Sequence, residues 1–100
     1  MSNIDRELRL ALSTGRVYIG SKESIQEMRR GRSKITILSS NCPEKYTEKI
    51  INQGKIGGIP VITHMKDSVD LGIVCGKPYP VSAISINNPG DSKILDITEE

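Results

Sequence analysis

Twice in its first half the chain switches from an apolar strand pattern to a helical one, and this constrains its fold more than any other feature. Val17-Tyr18-Ile19 leads into Gly20-Ser21-Lys22-Glu23-Ser24 and then into the helical pattern of Ile25 and Met28. Further on, Ile35-Thr36-Ile37-Leu38 leads into Ser39-Ser40-Asn41-Cys42-Pro43. If both strands run in one direction within one sheet, both switches open on the same end of it. Each then aims unpaired backbone N–H groups and the positive end of a helix dipole at a common place. Open α/β sheets bind ligands at that end, and helix N-termini bind phosphate readily. A polyanion is therefore the first ligand class to consider.

The remaining pattern continues this alternation. Ile4, Leu8 and Leu12, with Ala11 beside them, form one apolar helix stripe. Ser2 or Asn3 can cap that helix, and Gly15 can end it in the left-handed conformation. Arg16 to Ile19 reads as a short strand, and Ser21 to about Arg30 as a helix that Ser21 can cap. Lys34 to Leu38 reads as a strand buried on both faces, because it is almost continuously apolar. Pro43 suits the first turn of the next helix. Tyr46, Ile50 and Gln53 mark that helix's inward stripe, and Gly54, Gly57 and Gly58 break it. Ile59 to Ile62 is a third strand, with Pro60 at its first residue or on an edge. Asp67 or Ser68 caps a short helix ended by Gly76. Lys77-Pro78-Tyr79-Pro80 is an extended loop. Val81 to Ile86 is the last strand, Asn87 to Asp91 a turn, and Ser92 to Ile97 one helical turn before a fraying acidic end. This order predicts an α/β fold: a three-layer α/β/α sandwich around a four-stranded mixed, mostly parallel sheet.

Composition narrows the partners. The chain has 100 residues with 36% hydrophobic, no Phe and no Trp, so its core must be aliphatic. Formal net charge is only +2, but residues 1–60 hold eleven Lys/Arg against six Asp/Glu, and residues 61–100 hold three against six. The excess is densest at Arg29, Arg30, Arg32 and Lys34. A field this uneven can steer nucleic acid, although a solvated surface turn would look the same in sequence. Cys42 and Cys75 form no CxxC and have no metal-ligand spacing, and read as free thiols of a soluble intracellular protein. No apolar run approaches the roughly 18 residues that span a membrane. No cofactor or metal is expected, since Walker-type, GxGxxG and zinc-site patterns are missing.

Several residues combine into a binding constellation, each with an ordinary alternative. Gly20 lets a ligand approach the backbone. Lys22 sits unfavourably at a positive helix end, a tension an external anion would relieve, although a solvated Lys serves as well. Asn41 could cap the following helix or read a base edge. Tyr79, between prolines, could stack on an unpaired base or pack over the preceding helix. His64 stands alone and reads as a surface residue at a strand end. Cys42 near a helix N-terminus keeps a thiol-dependent enzyme open as a rival class.

Together these segments resemble a known family. Gly20-Ser21-Lys22, Ser40-Asn41-Cys42-Pro43, Gly57-Gly58-Ile59-Pro60-Val61, Leu71-Gly72-Ile73-Val74-Cys75-Gly76-Lys77-Pro78-Tyr79-Pro80-Val81 and Asn88-Pro89-Gly90-Asp91-Ser92-Lys93-Ile94-Leu95 are similar, in order and spacing, to the archaeal and eukaryotic ribosomal large-subunit protein thirty family. That family lies within the superfamily of kink-turn RNA binders. The resemblance covers essentially the whole chain. It implies one kink-turn RNA-binding domain over residues 1–100, a non-enzymatic component of the large subunit on cytoplasmic ribosomes, monomeric when free, with ribosomal RNA and neighbouring ribosomal proteins as partners. It implies Gly20, Ser21 and Lys22 against RNA backbone and sheared G·A pairs, Asn41 on a guanine, Lys77 on phosphate, and Tyr79 and Val81 on an extruded nucleotide. Relatives outside the family often carry Asn-Glu where this chain has Lys22-Glu23. Glu23 matches that pattern and could accept from a guanine edge, while Gln26 stands where some relatives carry a basic residue. Within RNA binding, the alternative is the core protein of a small RNA-modifying ribonucleoprotein.

Overall fold

The computed structural model describes residues 4–97. The elements are α1 (Ile4–Thr14), β1 (Arg16–Ile19), α2 (Ser21–Arg29), β2 (Ile35–Leu38), α3 (Glu44–Gly57), β3 (Val61–Thr63), α4 (Ser68–Val74), β4 (Ala83–Asn88) and α5 (Ile94–Ile97). The caps expected at Ser2 or Asn3, and the acidic end beyond Ile97, lie outside the described residues.

The sheet runs β1-β4-β2-β3. β2 pairs parallel with β3, and β4 pairs antiparallel with both β1 and β2. Strands β1, β2 and β3 thus share one direction, but β4 lies reversed between β1 and β2, so the sheet is mixed as expected while two of its three pairings are antiparallel and not parallel. The Lys77–Pro80 segment causes the reversal and, contrary to the extended loop expected, bends at Pro78 and Tyr79. It doubles back along α4, so that Val81 N donates to Ser68 O (2.9 Å), beside the start of that helix. The chain therefore joins the sheet at the end where β1 and β2 leave it. Gly72 permits this close return, because a Cβ there would lie 2.2 Å from the Tyr79 carbonyl oxygen. β4 consequently begins at Ala83 instead of Val81, and Asn87 and Asn88 belong to the strand, not to a turn.

The strand alternation divides the core. Ile35 and Ile37 of β2, with Ile84 and Ile86 of β4, pack against Leu8 and Ala11 of α1, Leu71 and Val74 of α4 and Ile94 of α5. Leu38 and Ala83 face Ile25 and Met28 of α2 and Ile50 of α3. These two apolar layers give the three-layer sandwich. All four β2 residues are buried, and each large aliphatic side chain removed from water contributes about 1.5–3 kcal/mol.

Several boundaries differ from expectation. Gly15 follows α1 without a left-handed conformation, and its missing Cβ serves contact instead, since one there would lie 2.0 Å from the Asn88 carbonyl oxygen. Gly20, at φ 125°, is the N-cap of α2, and Ser21 is its first helical residue and makes no side-chain cap. Pro43 is the N-cap of α3 instead of lying inside its first turn. Gly54 does not break α3, which continues to Gly57 and ends on left-handed Gly58. Gly54 is there for contact: a Cβ would lie 2.8 Å from Val61 Cγ2 and 2.9 Å from the Ile59 carbonyl oxygen. β3 starts at Val61, and Pro60 precedes this edge strand while its carbonyl accepts from Thr36 N (3.0 Å). Gly54→Ala should therefore destabilise the fold by about 1–3 kcal/mol through overpacking, despite the better helix propensity of Ala, as read by urea denaturation.

Candidate nucleic-acid interface

Because β4 is reversed, three connections meet at one end of the sheet. Gly20 N donates to Ala83 O (2.8 Å), joining the β1–α2 switch to the start of β4. Ser39 N donates to Ser82 O (2.9 Å), joining the β2–α3 switch to the same segment. Asn41 Oδ1 accepts from Ser68 N (2.8 Å), so the side chain braces α4 and does not cap α3. Its Nδ2 has no partner among the described residues. The two switches are thus brought together at Ser82 and Ala83, the segment that follows the proline loop.

The side chains on this surface differ in what they can do. Lys22 and Glu23 are exposed in the first turn of α2. The Glu23 carboxylate folds back over the switch, with Oε1 2.6 Å from where a Gly20 Cβ would stand. A cation, a carboxylate and the free amide of Asn41 therefore share one surface, where phosphate, a base N–H and a base acceptor could each find a complement. Tyr79 is 52% exposed and lies with Val69, Ile73, Lys77, Pro78 and Pro80 around a shallow depression of about 220 Å³. Tyr79 does not cover the helix completely: Ile73 remains 65% exposed. Lys77 is exposed at the rim.

Val81 is the exception. It is 1% exposed and belongs to the core cluster with Leu71 and Ile84, so its side chain does not reach a ligand on this surface. The burial has a direct cause, since the Val81 N–H anchors the returning loop to Ser68 O and turns the side chain under it. Cys75 is half-buried, and burial pushes its thiol up to about 11 against the smaller pull of the Lys77 charge. Cys42 packs against the α2/α3 core.

His64 also departs from expectation, being buried at 6% exposure. Its Nδ1 accepts from Lys66 N (2.9 Å), so the neutral ring donates from Nε2 to Asp5 Oδ1 (2.6 Å). Lys66 Nζ bonds the other Asp5 oxygen. The Lys66 carbonyl in turn accepts from Ser40 N (2.9 Å), and His64 N donates to Leu38 O (2.7 Å). Asp5 of α1 thereby braces the β3–α4 loop, and that loop braces the neighbours of Asn41. Sequence reasoning missed Asp5, His64, Lys66, Ser68 and Gly72, all of which act through partners distant in sequence. The one local signal was Gly72 inside an otherwise apolar helix stretch, which marks a close backbone approach.

Burial would raise the Asp5 pKa, but the bonds from Lys66 and His64 outweigh it and hold the carboxyl below its ordinary value of 3.8. A lowered carboxylate stabilises the fold above its unfolded pKa, and that contribution is lost as pH falls through the folded value. Asp5→Asn should therefore cost about 1–2 kcal/mol near neutral pH. The difference from the parent should close below about pH 4. Urea melts of both proteins across that range would test this, and a pH-independent difference would contradict it.

Comparison with known proteins places these features in a family. Residues 2–96 match the profile of the Ribosomal protein L7Ae/L30e/S12e/Gadd45 family. The chain is 47% identical to the large ribosomal subunit protein eL30 of Methanothermobacter thermautotrophicus, covering 95% of this chain and 97% of that one. It is 41% identical to eL30 of Methanococcus vannielii, covering 98% and 93%. A solved structure of a protein with unknown function from Bacillus halodurans shares the fold, with a TM-score of 0.85 over the full length of both chains at 22% identity. The chain therefore belongs to the Ribosomal protein L7Ae/L30e/S12e/Gadd45 family, alongside archaeal eL30 proteins.

Proposed function

We propose that this protein is a structural, non-catalytic component of the large ribosomal subunit, located on cytoplasmic ribosomes, that binds a kink-turn in ribosomal RNA and holds its bend. The observation that carries the proposal is the convergence of three loops on one sheet end, joined by Gly20 N to Ala83 O, Ser39 N to Ser82 O and Ser68 N to Asn41 Oδ1. The names of the relatives support the ribosomal assignment. In this reading the whole chain acts as one RNA-binding domain, monomeric when free, and neighbouring ribosomal proteins border it.

The work divides by chemistry. The α2 N-terminus, Ser21 and Lys22 take RNA backbone, since free N–H groups and a cation favour phosphate. Glu23 repels phosphate, so its place is on the N–H groups of a guanine edge at a G·A step. Asn41 reads the neighbouring base. Tyr79, with the apolar rim of Val69 and Ile73, seats the base extruded at the bend, while Lys77 meets the adjoining phosphate. Val81 supports the loop from beneath. The loops are fixed before RNA arrives, so the protein selects the bent form at little ordering cost to itself.

Lys22→Ala should weaken binding to a kink-turn RNA by about 1–3 kcal/mol and leave the fold intact, and Asn41→Ala should weaken it by as much without unfolding the domain while also releasing Ser68 N. Gel-shift titrations with kinked and regular versions of one RNA are the test, and equal affinity for the two would sink the kink-turn reading. Cys42→Ser should bind as the parent does. Loss of binding in that variant would direct attention to thiol chemistry.

A further inference from the structure

The basic run Arg29, Arg30, Arg32 and Lys34 has no part in the surface described so far. α2 carries it away: nine residues at about 1.5 Å each place the last turn ~13 Å from the first. α3 runs in the same sense and brings Lys55, in its own last turn, to the same end of the α2/α3 layer. All five residues are exposed. The acid beside them, Glu27, is 3% exposed and already engaged, with Oε2 on Arg30 Nη1 (3.1 Å) and Oε1 on Asn87 Nδ2 (2.9 Å). Among the described residues, Arg29, Arg32, Lys34 and Lys55 form no ion pair. Asp91 and Asp96 follow β4 but sit with α1 and α5, on the opposite layer of the sandwich.

Two helix C-termini account for a cation in each last turn, at Arg29 and Lys55. They do not account for Arg32 and Lys34, which lie beyond α2 on a loop that is held in place. Left-handed Gly31 turns the chain, Gly31 N donates to Met28 O and Arg32 N to Glu27 O, both at 3.0 Å. Ser33 is buried, and its Oγ donates to Ile35 O (3.2 Å) with Thr36 Oγ1 also within 3.2 Å. The cations are thus displayed from a fixed frame, so an anionic partner pays little to order them. The one exposed aromatic among the described residues, Tyr79, belongs to the other end. Unpaired cations without an aromatic platform suit phosphates, not bases.

From this geometry we infer that the far end of the α2/α3 layer is a second RNA surface. It grips the phosphate backbone of a separate RNA segment while the first surface holds the kink, so that the protein ties two segments together. The inference rests on the RNA-binding reading above and extends it to a second, sequence-independent contact.

The test uses the full chain saturated with a kink-turn RNA, titrated with a fluorescent, regular RNA duplex at several salt concentrations. The parent complex should bind the duplex. Arg29→Ala/Arg32→Ala/Lys34→Ala should bind it at least about tenfold more weakly, with a log–log salt slope flatter by about three. Its kink-turn affinity should change by less than about twofold, since phosphate contacts at the far end carry no part of the base reading at the near end. Single Arg32→Ala and Lys34→Ala variants should each flatten the slope by about one, which keeps the test valid should the triple variant fold poorly. Lys22→Ala separates the two readings: if it leaves kink-turn binding unchanged, the first reading fails while the duplex comparison still stands. Undiminished duplex binding by the variants would overturn the second surface. So would displacement of the duplex by polyglutamate at equal charge, which would indicate an acidic protein partner.

Discussion

The reversed course of β4 is the constraint on which the rest of the molecule depends. A strand arriving from the far end would have left the β1–α2 and β2–α3 switches separated by nothing but sheet. Arriving from the near end, the chain places Ser82 and Ala83 between them and hydrogen-bonds to both. The cause is local and steric. A helix of seven residues, a pair of prolines that cannot re-enter a helix, and the bare backbone of Gly72 let the chain return along its own α4. A single missing Cβ therefore decides where the site is closed.

Much of this is legible in the chain. The strand-to-helix switches at Ile19/Gly20 and Leu38/Asn41, the two-faced burial of β2, the Asp67 cap and the exposed Tyr79 all follow from local chemistry, and the structure agrees with each. The errors share a physical origin in contacts that local pattern does not encode. Gly54 looks like a helix breaker until Val61 and Ile59 are seen against it. His64 looks like a surface residue because Asp5, its partner, lies on another helix. Val81 has the same apolar character whether it faces a base or the core, and only the path of the preceding loop decides. Asn41 is recognisable as a polar residue at a switch, but its use as a brace for α4 depends on a segment far along the chain.

The two layers of the sandwich also divide the labour. The α1/α4/α5 layer contains the larger apolar cluster and the Asp5–His64–Lys66 brace, and its task is to hold loops still. The α2/α3 layer carries the mostly unpaired basic run. Its helices both start at the end where the three loops converge and both stop at the basic end, so their dipoles are aligned. The layer is thus polarised along its length, and side-chain charge has been added at both poles: Lys22 with Glu23 at one, the arginines at the other.

The bond between Ser68 N and Asn41 Oδ1 also fixes which way the side chain faces. A free asparagine amide can rotate by half a turn and present oxygen or nitrogen at almost equal cost, and so reads donors and acceptors alike. Here the oxygen is occupied, and turning the amide over would set its NH₂ against the Ser68 N–H, donor against donor. Asn41 is therefore held in one orientation, with its NH₂ free to donate and one lone pair of its oxygen still open. In the RNA-binding reading proposed above, its NH₂ would meet an acceptor such as a guanine carbonyl, whereas an exocyclic amine in the same place would face it donor against donor. A side chain that could otherwise turn either way is given one orientation by a backbone group 27 residues along the chain.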